Sequence, residues 1–167
     1  DEAAFCMACA APLAPAPAPR EQRKTVTIIF CDVTGSTALG ERLDPEALRR
    51  VMSRYFDEMK ASIERHGGTV EKFIGDAVMA VFGIPLVHED DALRAVRAAA
   101  GMRRALGELN AELERTLRIR LGNRTGVNTG EVITGDAATS QRLVTGDAVN
   151  TAARLEQAAG RDEILIG

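Results

Sequence analysis

From Thr25 onward the apolar positions fall into runs and stripes that mark out secondary structure. TVTIIFC, residues 25–31, is an unbroken β-branched run of strand length ending at Asp32, which predicts a buried strand. Thr34, Gly35 and Ser36 then make a turn. Leu48, Val51, Met52, Tyr55, Phe56, Met59 and Ile63 recur at helical spacing behind Asp44-Pro45-Glu46, where Asp44 suits an N-cap and Pro45 the first helical position. This helix should stop at Gly67-Gly68. TVEKFI and AVMAVF flank Gly75-Asp76, the pattern of a hairpin with a two-residue turn, so Asp76 lies at its tip or just past it. His88-Glu89-Asp90-Asp91 precedes a long Ala/Leu/Arg-rich stretch to about Arg115. Its acidic residues suit the positive end of a helix dipole, so the tetrad reads as a helix start and not a metal site. Beyond it, LRIRL, TGVNT, EVITG and RLV read as short strands, GDAVNTAARLEQAAG as a helix and EILIG as a closing strand.

This order predicts an α+β fold with a ferredoxin-like core, βαββαβ with additions, in which helices cover one face of a mainly antiparallel sheet. The N-terminal stretch has a different texture. Residues 10–19, AAPLAPAPAP, favour extended polyproline geometry and read as part of a linker over residues 10–24, leaving a stub at 1–9 and a folded domain at 25–167.

Composition narrows the functional classes. With 21 Lys+Arg against 24 Asp+Glu the formal net charge is −3, which argues against a dedicated nucleic-acid partner. No apolar stretch approaches the ~18–20 residues of a bilayer span, so no membrane segment is expected. Cys6 and Cys9 form one local pair and Cys31 lies inside an apolar run, not the disulfide framework of a secreted domain, and a reducing cytoplasm is the expected location. The first residue is Asp1 and no signal segment follows, so the chain is expected to be a piece of a longer polypeptide.

Two acidic residues set against apolar strands carry the chemical signal: Asp32 in FCDVTGST and Asp76 in FIGDAVMAVFG. Ionised groups there are costly unless paired or bound to a cation. Should the first strand lie beside the hairpin, the two carboxylates converge into a hard-oxygen site suited to Mg²⁺ or Mn²⁺; otherwise each satisfies turn amides. Thr34, Gly35, Ser36 and Thr37 open a helix, where free backbone N–H groups and hydroxyls could hold phosphate oxygens, although no GxxxxGK pattern is present. Asn150 and Arg154, four apart on a predicted helix, project from one face and suit a sugar and a phosphate, or simply a solvated surface. Lys72 lies in an apolar strand, where a lysine sits at the sheet edge, snorkels, or donates to a base or phosphate. Cys31 reads as a small buried core residue.

FCDVTGST, VEKFIGDAVMAVFG, TGVNTGEV and TGDAVNTAARLE, in this order over about Thr25–Gly167, together resemble the catalytic domain of the class III nucleotide cyclases, the adenylate and guanylate cyclase family. The resemblance implies conversion of a nucleoside triphosphate, here ATP, to its 3′,5′-cyclic monophosphate and pyrophosphate, with the sites at a head-to-tail homodimer interface. It assigns Asp32 and Asp76, with the Val33 carbonyl, to two Mg²⁺ or Mn²⁺ ions. It assigns Lys72 to the base, Asn150 to the ribose and Arg154 to charge developing on the α-phosphate. The aspartates of one subunit would work with the Lys, Asn and Arg of the other. One ion would activate the ribose 3′-hydroxyl and the second neutralise the leaving pyrophosphate.

Two departures accompany the resemblance. Seven residues before Asn150, where the family places the Asp or Thr that partners the base-reading lysine, this chain has Leu143, which accepts no hydrogen bond; backbone groups near Val144 are the substitute. The sequence also stops at Gly167, before the part of the family's domain that usually supplies another phosphate-binding lysine, so weak or absent activity of the fragment alone is the rival expectation. Guanylate cyclase is the other rival, disfavoured by Lys72, where an acidic residue is usual. The stub FCMACAAPL resembles the second half of a zinc ribbon, but Cys6 and Cys9 supply two of the four thiolates such a site needs, so no stable zinc site is expected.

Overall fold

A computed structural model describes residues 22–134 and 144–167. The stub with Cys6 and Cys9, most of the Ala/Pro linker and Leu143 lie outside the described residues. The chain runs through β1 (Gln22–Thr34), α1 (Ser36–Gly40), α2 (Pro45–Arg65), β2 (Thr69–Ile74), β3 (Ala77–Phe82), α3 (Asp91–Leu117), β4 (Gly122–Thr134), β5 (Val144–Thr145), α4 (Asp147–Ala158) and β6 (Ile164–Ile166). The sheet order is β2-β3-β1-β4-β5, with β6 alongside β4. Every pairing is antiparallel except β4 with β6. Elements β1, α2, β2, β3, α3 and β4 make the expected βαββαβ core.

The central strand β1 lacks polar alternation because both its faces are covered. Ile29, Cys31 and Val33 point into a core built with Tyr55, Met59 and Ile63 of α2 and Ala95, Met102 and Leu106 of α3. Val26 and Ile28 point the other way, against Ala148 and Ala152 of α4. The two core helices thus lie over one face as predicted, and α4, added after β4, covers part of the opposite face. Among the described residues no helix is long and apolar enough to cross a membrane.

Local signals explain several element ends. Asp44 Oδ1 accepts from the Ala47 amide at 2.8 Å and caps α2 behind Pro45. Gly67, with φ of 81°, turns the chain out of that helix. Gly75 at φ 63° and Asp76 form the hairpin turn between β2 and β3.

Three expectations change. LRIRL is no strand: Leu117 ends α3, Arg118 adopts φ 55°, and the next residues approach the sheet without joining it. Asn110 explains why, since its side chain donates to the Leu121 carbonyl at 2.9 Å and accepts from the Leu121 amide at 2.8 Å, as a neighbouring strand would. TGVNT and EVITG merge into the 13-residue β4, which pairs with β1 from Gln22↔Thr134 to Thr34↔Gly122. Its Gly126 and Gly130 mark close approach of another element and not a break. Finally, β1 starts at Gln22, inside the expected linker, whereas the helix expected to open at Thr34–Thr37 is present as α1.

Candidate active site

Asp32 lies near the end of β1, opposite Ala77 of β3 on one side and Arg124 of β4 on the other. Because Asp76 precedes Ala77 in the hairpin, the register brings the two aspartates together. Burial pushes the Asp32 carboxyl above the ordinary carboxylate range; a hydrogen bond from Arg124 opposes this, while the charge of Asp76 and a side-chain contact with it add to the rise. Facing carboxylates of this kind are stabilised by a cation between them.

A basic group already stands on one side of the pair. Arg124 Nη2 donates to Asp32 Oδ2 at 2.9 Å, and Arg124 Nε meets Glu156 Oε1 of α4 in a close ion pair. The Asp32 and Glu156 side chains are only 18% and 9% exposed. Burial raises the Glu156 carboxyl above its usual range despite the Arg124 charge. Burial alone would lower the Arg124 guanidinium, but the carboxylates on either side lift it. The row Asp76, Asp32, Arg124, Glu156 therefore runs from the β2–β3 turn across β1 and β4 to α4.

Neither Arg124 nor Glu156 figures among the residues singled out from sequence. A cue to Glu156 is its place on the Ala148–Ala152–Glu156 stripe, an acidic residue where the helix otherwise buries alanines. For Arg124 only the strand register, 92 residues long-range, reveals the partner.

The turn after Asp32 is built as a cradle. The Val33 side chain is buried in the core, so only its backbone is available to the site. Thr34 Oγ1 is buried with no hydrogen-bond partner among the described residues. Gly35 takes φ 80° with open space where a Cβ would stand, and α1 begins at Ser36. The first-turn amides of a helix have no intrahelical partner. Of the Thr37 side chain nothing is described. Ser36 and Gly40 line an open groove of about 460 Å³ with Leu48, Met52, Phe56, Gly75 and Asp76.

The remaining predicted residues stand elsewhere. Lys72 is exposed on β2, the open edge of the sheet, where the register with β3 slips between Val70 and Lys72. Asn150 and Arg154 are exposed on the side of α4 opposite Ala148, Ala152 and Glu156. One chain thus does not gather them around the aspartate pair. Val144 packs its side chain into the second core, leaving its backbone as the only group it can offer.

The donor set fits a hard divalent cation. Among the described residues no group of three or more His, Cys, Asp or Glu converges. Two carboxylates and backbone oxygen are what Mg²⁺ requires when water and substrate phosphates complete its shell. Among the described residues no histidine or cysteine joins them in a cluster that would favour zinc.

Comparison with known proteins gives one consistent picture. The family model described as "Adenylate and Guanylate cyclase catalytic domain" matches residues 18–167. An adenylate cyclase of Anabaena cylindrica is 34% identical over 140 residues, covering 80% of this chain and 27% of the relative. The chain therefore spans about a quarter of the length of that curated relative. The crystal structure of the adenylyl cyclase CyaB from P. aeruginosa superposes with a TM-score of 0.83 at 36% identity, covering 88% of this chain and 78% of that one. The guanylyl cyclase Cya2 superposes with a TM-score of 0.80, also at 36% identity, over 87% and 76% of the two chains.

Proposed function

The chain belongs to the adenylate and guanylate cyclase catalytic-domain family, and on that footing we propose that it is an adenylate cyclase, converting ATP to 3′,5′-cyclic AMP and pyrophosphate in intracellular signalling. The observation that carries this reading is a division of labour. Asp32 and Asp76 converge at one end of the sheet, while Lys72, Asn150 and Arg154 are exposed on the sheet edge and the outer side of α4, turned to solvent as if for a second copy. A head-to-tail homodimer would complete two equivalent sites.

In that arrangement Asp32 and Asp76, with the Val33 carbonyl, would hold Mg²⁺ or Mn²⁺, two ions per site, which supply activation of the ribose 3′-hydroxyl and neutralisation of the leaving pyrophosphate. Asn150 orients the ribose so that the 3′-oxygen lies in line with the α-phosphorus. As the 3′-oxygen bonds to phosphorus and the bond to the β-phosphate oxygen breaks, the hydroxyl proton leaves to solvent and charge grows on the α-phosphate. Arg154 meets that charge, so it acts on turnover more than on substrate binding. The Thr34–Thr37 turn offers amides and hydroxyls to the polyphosphate, and Lys72 donates to the adenine. Leu143 leaves the lysine without its usual side-chain partner, so recognition of the base there falls to backbone near Val144. The polypeptide is proposed to be cytoplasmic, where ATP is available, with this domain as one part of it.

The test is to incubate the protein with ATP or GTP and Mn²⁺ and to quantify cyclic product. Cyclic AMP from ATP, lost in Asp76→Ala, is expected. Cyclic GMP as the main product would transfer the assignment to guanylate cyclase, which the resemblance to Cya2 makes a specific alternative. Absence of either product, with Asp76→Ala indistinguishable from the parent, would leave a nucleotide-binding or dimerisation module.

A further inference from the structure

We propose that Glu156 is a positioning residue that sets how firmly Arg124 holds Asp32, and that the Glu156–Arg124 pair thereby fixes the divalent-cation affinity of the Asp32–Asp76 pair. This rests on the functional reading above, in which those aspartates are the cation ligands. Arg124 stands between two carboxylates: Nη2 donates to Asp32 Oδ2 at 2.9 Å, and Nε forms a close ion pair with Glu156 Oε1 in which neither of those two buried atoms has a hydrogen-bond partner among the described residues. A cation approaching Asp32 must therefore share that oxygen with a guanidinium or displace it. How strongly the guanidinium competes depends on the charge behind it, because its positive charge is shared with Glu156 in a mostly buried setting where screening is weak.

Glu156 cannot easily drift from this position. Its backbone lies directly on β4, against Gly126, two residues along the strand from Arg124: a Cβ at Gly126 would collide with the Glu156 amide and the Ala152 carbonyl. The same helix turns Asn150 and Arg154 outward. In a head-to-tail dimer, α4 would then be tied through Glu156 to its own chain's aspartates while serving the neighbouring site.

The sign follows from charge. Glu156→Gln keeps the shape and an acceptor for Arg124 but leaves the guanidinium uncompensated, so Arg124 holds Asp32 harder and the cluster repels a cation. Arg124→Gln removes the competitor and leaves the carboxylates more negative. We expect the first variant to weaken Mn²⁺ binding and the second to tighten it, each by about three- to tenfold, for a unit charge within a few ångströms at a partly buried site.

The experiment titrates Mn²⁺ into the nucleotide-free chain, following loss of the free-ion EPR signal to tens of millimolar, with a circular-dichroism melt to verify folding of each variant. Asp76→Asn identifies the site. If it leaves Mn²⁺ binding unchanged, or the parent binds none, the functional reading fails and this inference with it. If Asp76→Asn abolishes binding while Glu156→Gln matches the parent, or Arg124→Gln weakens binding, the positioning role alone is overturned. A purely structural part for the pair would lower the melting temperature without moving the two affinities in opposite directions. Should Arg124→Gln fail to fold, the isosteric Glu156→Gln decides by itself.

Discussion

Cys31 and Asp32 are adjacent on β1 and meet opposite fates because a strand turns successive side chains to opposite faces. Asp32 joins the carboxylate pair, whereas Cys31 enters the helix-covered core, where Asn123 Nδ2 donates to its sulfur at 3.2 Å and Thr125 Oγ1 at 3.4 Å, and Tyr55 Oη lies 3.4 Å away. Burial pushes the Cys31 thiol up to about 11, the hydrogen bonds from Thr125 and with Tyr55 opposing the rise. In the unfolded chain the thiol titrates near its ordinary value of about 8.5. Its native pKa is raised, so its contribution to stability is complete below the unfolded value and is lost as pH climbs through the native one. Urea unfolding should therefore show stability falling between about pH 9 and 11, with a thiol contribution of the order of 2–3 kcal/mol across the window. Cys31→Ala should flatten that part of the fall while costing stability at neutral pH through the lost packing; equal slopes in the two proteins would refute the buried thiol's role.

At the scale of elements, what was legible in the sequence depended on whether a signal was local. The Asp44 cap, the Gly75-Asp76 turn and the TVTIIFC strand each announce themselves within a few residues, and through the last two the Asp32–Asp76 pair was foreseeable. Asn110 standing in for a strand partner of Leu121, and Arg124 meeting Asp32 across 92 residues, depend on register that no window reveals. The β4 glycines follow the same logic: Gly126 and Gly130 look like interruptions in the sequence but stand where α4 packs closely on the strand. A Cβ at Gly130 would stand 2.8 Å from Ala148 Cβ, and one at Gly126 would strike α4 backbone, which cannot rotate aside. Gly126→Ala should cost about 1–3 kcal/mol by overpacking and should reduce cyclase turnover further than that, because the displaced helix carries Asn150, Arg154 and Glu156. Gly107→Ala, at a helical position with open space around it, should be neutral or stabilising by up to about 1 kcal/mol. Paired urea titrations distinguish the two. A Gly126→Ala protein as stable and active as the parent would mean that α4 tolerates a shift on the sheet.

For the molecule as a whole, the decisive question is whether one chain can contain a complete site. The aspartates are part-buried beside β3 and β4, whereas Asn150 and Arg154 are exposed on the side of α4 away from Ala148, Ala152 and Glu156, and Lys72 is exposed on the edge strand β2. Either a second copy completes the site or the residues do not act jointly. Mixing separates these cases. Asp32→Ala and Arg154→Ala proteins should each be nearly inactive, since losing one electrostatic contact to the transition state costs about 10²–10³ in rate and losing a carboxylate also takes away cation affinity. In a dimer formed from one of each, one site joins the intact aspartates of the Arg154 variant to the intact arginine of the Asp32 variant, and the other site carries both lesions. With random pairing, half the dimers are mixed and half their sites are whole, so the equimolar mixture should recover about one quarter of the parent's activity. Recovery should grow with total protein concentration, as expected of an interface that must assemble. A mixture no more active than its components, under conditions where sedimentation shows mixed dimers, would place the reacting groups within a single chain and require a rearrangement of α4.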